Sequence, residues 1–231
     1  VSGIINIISK DDQLKGFSGI VNANIGLEEK LGGDFTTTYR SKDFSLNFGA
    51  NYRAHTFPGT SEENRRTYDE TISSFLNSFG ENTRGHTGWS IKGGADFNLT
   101  KNDLIGFSLR YGDRNSESTS LVNFHNYTQP ATIEKYYSSN NMRERSGSFF
   151  SSNLNYKHIF GPNQHEILAE AMYQKRNSDE FTMNEYIESN GNISSGRKNI
   201  EIGPGERIRF KLDYTLPLSD DSKFEAGGQH E

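Results

Sequence analysis

Apolar and polar residues alternate with a period of two along nearly the whole chain. Successive side chains of a strand point to opposite sides, so this alternation dictates a sheet with two unlike faces. After a short apolar run from Ile4 to Ile8, Phe17, Gly19, Val21, Ala23 and Ile25 alternate with Ser18, Asn22 and Asn24. The pattern recurs from Phe35 to Tyr39, Phe44 to Tyr52, Trp89 to Leu99, Ile105 to Tyr111 and Phe150 to Tyr156. It continues from Ile167 to Tyr173, where Leu168 and Met172 blur it, from Ile208 to Leu216, and from Phe224 onward. About nine strands are expected.

Hairpin register supports the same two-faced sheet. A tight turn at Arg40-Ser41-Lys42-Asp43, with Arg40 opposed to Asp43, places Tyr39 opposite Phe44, Thr37 opposite Leu46 and Phe35 opposite Phe48. A turn at Thr100-Lys101-Asn102 places Phe97 opposite Ile105 and Ala95 opposite Phe107. Turns near Gly161-Pro162 and at Ser219-Asp220-Asp221 set Tyr156 opposite Ile167, Leu154 opposite Ala169, and Leu216 opposite Phe224. In each hairpin the apolar partners share one face, as a correct register requires.

Composition narrows what such a sheet can be. No stretch approaches the ~18 continuous apolar residues of a spanning helix. With no Cys, disulfides, Cys-ligated zinc and Cys nucleophiles are excluded. The net charge of −5 argues against a nucleic-acid partner. Sixteen Phe and 11 Tyr are too many for a disordered chain. A soluble all-β domain and a transmembrane β-barrel remain, the latter because mean hydropathy hides a lipid-facing surface.

The connections decide between them. Tight turns near 41–42, 100–102, 161–163 and 218–222 alternate with long polar segments at 54–86, 113–146 and 176–205 and a shorter one at 27–32. A soluble sandwich has no reason to gather its long loops at one end, whereas outer-membrane barrels have short periplasmic turns and long extracellular loops. Each apolar run is near the ~9–11 residues needed to cross a bilayer at a tilt. Tyr39, Phe44, Tyr52, Trp89, Phe97, Tyr111, Tyr156, Tyr173, Tyr214 and Phe224 lie near strand ends, as interface girdles do. Lys92, Arg110, Arg207, Arg209 and Lys211 all fall on the polar face, which would enclose the lumen. The expected fold is therefore an all-β, transmembrane antiparallel β-barrel in the bacterial outer membrane, in contact with outer-membrane lipid.

A resemblance sharpens this expectation. Ser2-Gly3-Ile4-Ile5-Asn6-Ile7-Ile8-Ser9-Lys10 resembles the run that ends the plug of TonB-dependent outer-membrane receptors and leads into barrel strand one. Gly16-Phe17-Ser18-Gly19-Ile20-Val21 is similar to that first strand. Leu31-Gly32-Gly33-Asp34-Phe35 through Asn51-Tyr52-Arg53 resembles the second and third strands of Bacteroidetes-type outer-membrane barrels. Such receptors have about 22 strands, so the resemblance implies 1–10 as the last plug strand and 11–231 as the first part of a larger barrel. The chain opens at Val1 without Met and stops in an alternating run, which fits a piece of a longer protein. The implied function is capture of a nutrient (an iron chelate, vitamin B12, an oligosaccharide or a peptide) at the outer rim, with import by TonB-driven movement of the plug. TonB would act through the N-terminal part outside this sequence, and a surface lipoprotein or other outer-membrane subunits could join. Ligand or partner contacts are expected in Phe57 to Arg84, Asn115 to Arg145 and Asn177 to Glu206.

No chemistry-bearing motif competes with this reading. His165-Glu166 starts like a zinc-protease helix motif, but position 169 is Ala and the segment reads as a strand. There is no G-x-S-x-G elbow, P-loop or dinucleotide glycine pattern, and Gly203-Pro204-Gly205 is a turn signal. Arg207, Arg209 and Lys211, beside the strand of Glu166 and Glu170, form either an anion path or, the favoured reading, a cross-strand salt-bridge ladder. Asn98, Asn126 and Asn192 match a glycosylation pattern without meaning in a bacterial outer membrane. The sequence thus assigns no catalytic, ligand-binding or metal residue, no cofactor and no enzyme activity. Two alternatives stand beside the receptor: a non-transporting barrel subunit of a larger membrane complex, and a secreted soluble β-sandwich that binds glycans.

Overall fold

The computed structural model describes residues 15–161, 165–219 and 222–231. The resemblance to the plug end, at residues 1–10, lies outside them. The described chain forms one antiparallel sheet of eleven strands and no helix. These are β1 (Gly16–Gly26), β2 (Lys30–Arg40), β3 (Phe44–Thr67), β4 (Ser73–Asn98), β5 (Asp103–Gln129), β6 (Glu134–Ile159), β7 (Glu166–Arg176), β8 (Asp179–Glu188), β9 (Ile193–Ile202), β10 (Gly205–Ser219) and β11 (Ser222–His230).

Eleven reduces to nine on inspection of the register. β7 and β8 both pair with β6, and Phe149↔Arg176 and Ser146↔Asp179 lie on one uninterrupted register. β9 and β10 likewise run end to end along β8 and β7, from Asp179↔Ile202 to Arg176↔Gly205. Asn177 N–H donates to Ser148 O (2.9 Å) and Gly203 N–H to Ser178 O (2.7 Å), which carries the ladder through both breaks. Pro204, which has no N–H to give, accounts for the second break. The sheet is a nine-strand meander, the number that the alternation suggested.

The faces sort as the period of two requires. Tracking the register from β1 to β11, Phe17, Tyr39, Leu46, Ala95, Phe107, Leu154, Ala171, Phe210 and His230 stand on one side. Apart from Asp103, at the short-turn end of β5, that side carries no Asp, Glu, Lys or Arg as far as the row Tyr52, Trp89, Tyr111, Phe150, Tyr173. The opposite side is bound by cross-strand polar contacts. Asn22 donates to Asp34 (2.9 Å), Ser45 to Asp96 (3.3 Å), Ser90 to Asn51 (3.2 Å) and Asn153 to Ser108 (3.4 Å).

No second sheet covers the apolar side. Met172, 9% exposed, is the one buried hydrophobic residue described, while Leu46 and Phe48 are 42% and 47% exposed. A soluble sandwich would bury these residues between sheets. An apolar surface spread over nine strands is far beyond what a monomer leaves in water. Hydrocarbon is the solvent this face fits. Two aromatic rows bound it: Trp89 packs edge-on to Tyr111 at 5.6 Å, and Tyr39, Phe44 and Phe97 follow at 5.9 and 6.2 Å near the short turns. Trp89 and Phe97 are about 27 Å apart along β4, and the tilt of a barrel strand brings this near the ~25 Å apolar band of outer-membrane barrels.

Two expectations from the sequence are corrected. In the first hairpin Tyr39 faces Leu46 and Phe35 faces Ala50, and near Gly161 Tyr156 faces Ala169. Both registers are displaced by two residues because the loops are wider than expected, and an even displacement leaves each side chain on its face. The long segments are not irregular loops. The ladder runs through 54–67 and 73–88, and β5 and β6 pair from Asp103↔His158 to Tyr127↔Glu134. β5, with 27 residues, extends for about 90 Å, so most of its length projects beyond the ~30 Å hydrocarbon layer. The asymmetry of the two ends resides in strand length.

β1 and β11 are the edges of the described sheet. Nine antiparallel strands leave these two running in the same direction, so they cannot close on each other in the antiparallel sense. A strand edge in lipid leaves its N–H and C=O groups without partners, so both edges must be paired in the membrane. In the assembled barrel, Leu109→Arg or Phe210→Arg should cost about 2–4 kcal/mol near mid-bilayer and block assembly, whereas Arg110→Leu should be far milder. Heat-modifiable gel migration measures assembly, and equal yields of the three variants would refute the assigned faces.

Candidate functional site

The polar face holds two hollows that meet near the long-hairpin end. The first, of about 630 Å³, is lined by Asn51, Arg53, Ser90, Lys92, Arg110, Arg114 and Phe149, among others. The second, of about 550 Å³, is lined by Arg114, Arg145, Arg176, Glu180 and Glu201. His86 and Arg114 border both.

Register explains this clustering of cations. Arg53 and Arg114 both pair with Gly88, one from each side, so two guanidinium side chains flank a residue with no side chain. Four residues further along β4, at the level of the apolar belt, Lys92 sits directly opposite Arg110. Glycines leave room on this face. A Cβ at Gly112 would lie 2.5 Å from Trp89 O and 2.7 Å from the Phe149 ring, so no larger residue fits without displacing the strand. The Phe149 ring orients two of the cations, with the Arg110 and Arg114 guanidinium carbons 5.2 and 5.8 Å from its centroid.

Counter-charges separate this cluster from its neighbours. Arg143 and Arg145 both bind Glu180, the former at 2.7 Å, and their donation holds the Glu180 carboxyl below the usual range. Arg207 pairs with Glu231 at 2.8 Å, Lys157 with Glu166 at 2.5 Å, and Lys211 with Asp213. The stripe Arg207, Arg209, Lys211 is thus largely neutralised, although by partners other than the expected cross-strand Glu166 and Glu170. Arg209 reaches Met172 Sδ at 3.5 Å. By contrast, Arg53, Lys92, Arg110 and Arg114 make no ion pair among the described residues. The nearest hydrogen bond of the four runs from Arg110 to Ser90 Oγ (3.4 Å). Asp34 shares the face but accepts from Asn22.

The segments expected to carry contacts divide by face. Asn115, Ser116 and Arg145 of the second segment and Asn177, Glu180 and Glu201 of the third line the second hollow, while Phe57 to Arg84 lines neither hollow and stands largely as ribbon above them. Sequence reading noted Lys92 and Arg110 but did not join Arg53 and Arg114 to them. The available signal was parity, since Arg110 and Arg114 are even-numbered positions of one strand. His165, the possible start of a metal motif, hydrogen-bonds Tyr214 Oη at 2.8 Å. No group of three His, Asp or Glu poised for a metal occurs among the described residues.

His86 reports the electrostatics of the hollow. Burial first, then His55, Arg114 and Arg53, lower its pKa from the ordinary 6.5. Below that value the unfolded chain takes up its proton before the folded one does. Stability contributed by neutral His86 is therefore present above pH 6.5 and is lost as pH falls through its lowered folded value. In an imidazole NMR titration, His86 should titrate below 6.5, and Arg114→Gln should move its midpoint upward. A midpoint at or above 6.5, or one indifferent to Arg114→Gln, would contradict this placement.

With the geometry established, comparison with known proteins gives a consistent result. Residues 158–231 match the outer membrane protein beta-barrel family. No curated protein matches the chain. The matched segment begins at the end of β6 and includes β7 to β11, with both breaks and one free edge. Two-faced strands, an uncovered apolar belt and this family match together place the chain in the bacterial outer membrane as a transmembrane antiparallel β-barrel protein.

Proposed function

We propose that this chain forms the ligand-capturing part of a TonB-dependent receptor that imports a nutrient through a plugged barrel. The observation that carries the reading is the asymmetry of the sheet. Turns at one end are short, while at the other β3 to β6 and the paired β8 and β9 rise well clear of the membrane belt. Long ribbons on one rim build a walled vestibule, and rim segments are where a rigid scaffold presents binding residues. The polar interior below supplies the path. The resemblance of Ser2 to Lys10 to a plug terminus adds the coupling component. The role is binding and transfer, with no catalysis proposed.

One observation favours a second reading, a non-transporting subunit of a larger assembly. Phe75, Tyr127, His125 and Tyr136 stack in a column on the side of the ribbons continuous with the lipid face, at 4.8, 4.7 and 4.3 Å between successive rings. Such a column above the membrane is a surface another protein could cover.

Growth on a panel of scarce nutrients separates the two readings. A strain lacking the full-length protein and a TonB-deficient strain should fail on the same nutrient. Replacing 57–84 by a short turn should leave the barrel assembled yet reduce uptake at least tenfold. Normal growth of the deletion strain throughout, together with stable copurification with other outer-membrane proteins, would contradict import and support the assembly role.

A further inference from the structure

We propose that the membrane-proximal hollow on the polar face is a recognition site for a polyanionic solute, one bearing several carboxylate or phosphate groups, held by Arg53, Lys92, Arg110 and Arg114. Its place in import rests on the receptor reading above, but the binding does not.

The first argument is the cost of the arrangement without an anion. Lys92 and Arg110 are directly opposed across β4 and β5, and Arg53 and Arg114 flank Gly88 four residues further along β4. Like charges placed opposite each other on a sheet face destabilise it. Elsewhere in the described chain such charge is relieved in part by carboxylates, at Glu180, Glu166, Glu206, Glu231 and Asp213, while Arg176 and Arg209 also stand without one. Here it is not, although the chain as a whole has a net charge of −5. Asp34 and Asp113 also line the hollow, but among the described residues no carboxylate pairs with these four cations, and an anion from solution would supply that counter-charge.

The second argument is chemistry and shape. Arginine presents a planar fork of donors that matches carboxylate and phosphate oxygens two at a time. Phe149 holds two of these guanidinium groups at fixed positions over its ring, which reduces the ordering cost of binding. A hollow of about 630 Å³ accommodates a small polyacid. Its walls belong to the face turned from lipid, so the anion arrives as a solute and not as a lipid headgroup.

Benzene-1,3,5-tricarboxylate, a flat and weakly chelating trianion, serves as the probe, with its neutral triamide as control. Calorimetry on the detergent-solubilised full-length protein should show the trianion bound at least tenfold more tightly than the triamide. The preference should shrink as salt rises. Arg110→Gln with Arg114→Gln should lose at least tenfold in trianion affinity, whereas Arg110→Lys with Arg114→Lys, which keeps the charge but not the fork, should fall between that variant and the unaltered protein. Arg207→Gln, on the same face but paired with Glu231, should change nothing. Heat-modifiable migration verifies that each variant is assembled. Equal affinity for trianion and triamide, or binding indifferent to the double Gln variant, would overturn the site. Should the site bind as described while deletion and TonB-deficient strains share no nutrient defect, the receptor reading fails and the anion site stands.

Discussion

Hydrocarbon offers no hydrogen bonds, and that constraint organises the whole chain. Each N–H and C=O in the membrane belt has to find its partner within the sheet. The pairing from β1 to β11 provides this for all but the outer sides of those two strands, and it survives the two places where a strand is interrupted. Once the ladder is continuous, the side chains are free to divide by chemistry. Within the belt one face tolerates Phe, Leu, Gly and Ala but no charge, and the other collects Asn, Ser and the ions. The family match at the C-terminal third and the uncovered belt are two consequences of one requirement.

Where one face is apolar, the sequence spelled out the strands. From Phe44 to Tyr52 and from Ile105 to Tyr111, alternation identified both strand and face. The same rule was blind in 54–67, 73–88, 113–129 and 134–147, which are also strand. There both faces meet water, so Thr, Ser, Asn and Glu occupy either side and no hydropathy contrast remains. Register was legible in parity throughout and in value at two hairpins, where Phe97 faces Ile105 and Leu216 faces Phe224 as expected. The hairpin after Tyr39 moved by two residues because Ser41 closes on Phe44 across a wider loop, a detail set by backbone geometry.

The cation cluster was half legible for a related reason. Alternation assigns Lys92 and Arg110 to the polar face, but proximity across strands depends on register. Arg53 and Arg114 become neighbours only because both pair with Gly88. Conversely, Arg207, Arg209 and Lys211 draw the eye as a stripe, yet their charges are largely answered by Glu231 and Asp213. A basic residue is informative when its counter-charge is missing, and that is a property of the fold. The glycines belong to the same logic: at Gly112 the close approach of Trp89 and Phe149 excludes any side chain.

The division of faces is tested most directly by spin labels placed singly from Ile105 to Tyr111 in the membrane-assembled protein. Accessibility is read against oxygen, which partitions into lipid, and a water-soluble nickel chelate. Labels at 105, 107, 109 and 111 should respond to oxygen and labels at 106, 108 and 110 to nickel, alternating at every step. A scan without alternation, or nickel access at all seven positions, would contradict a strand that separates lipid from water.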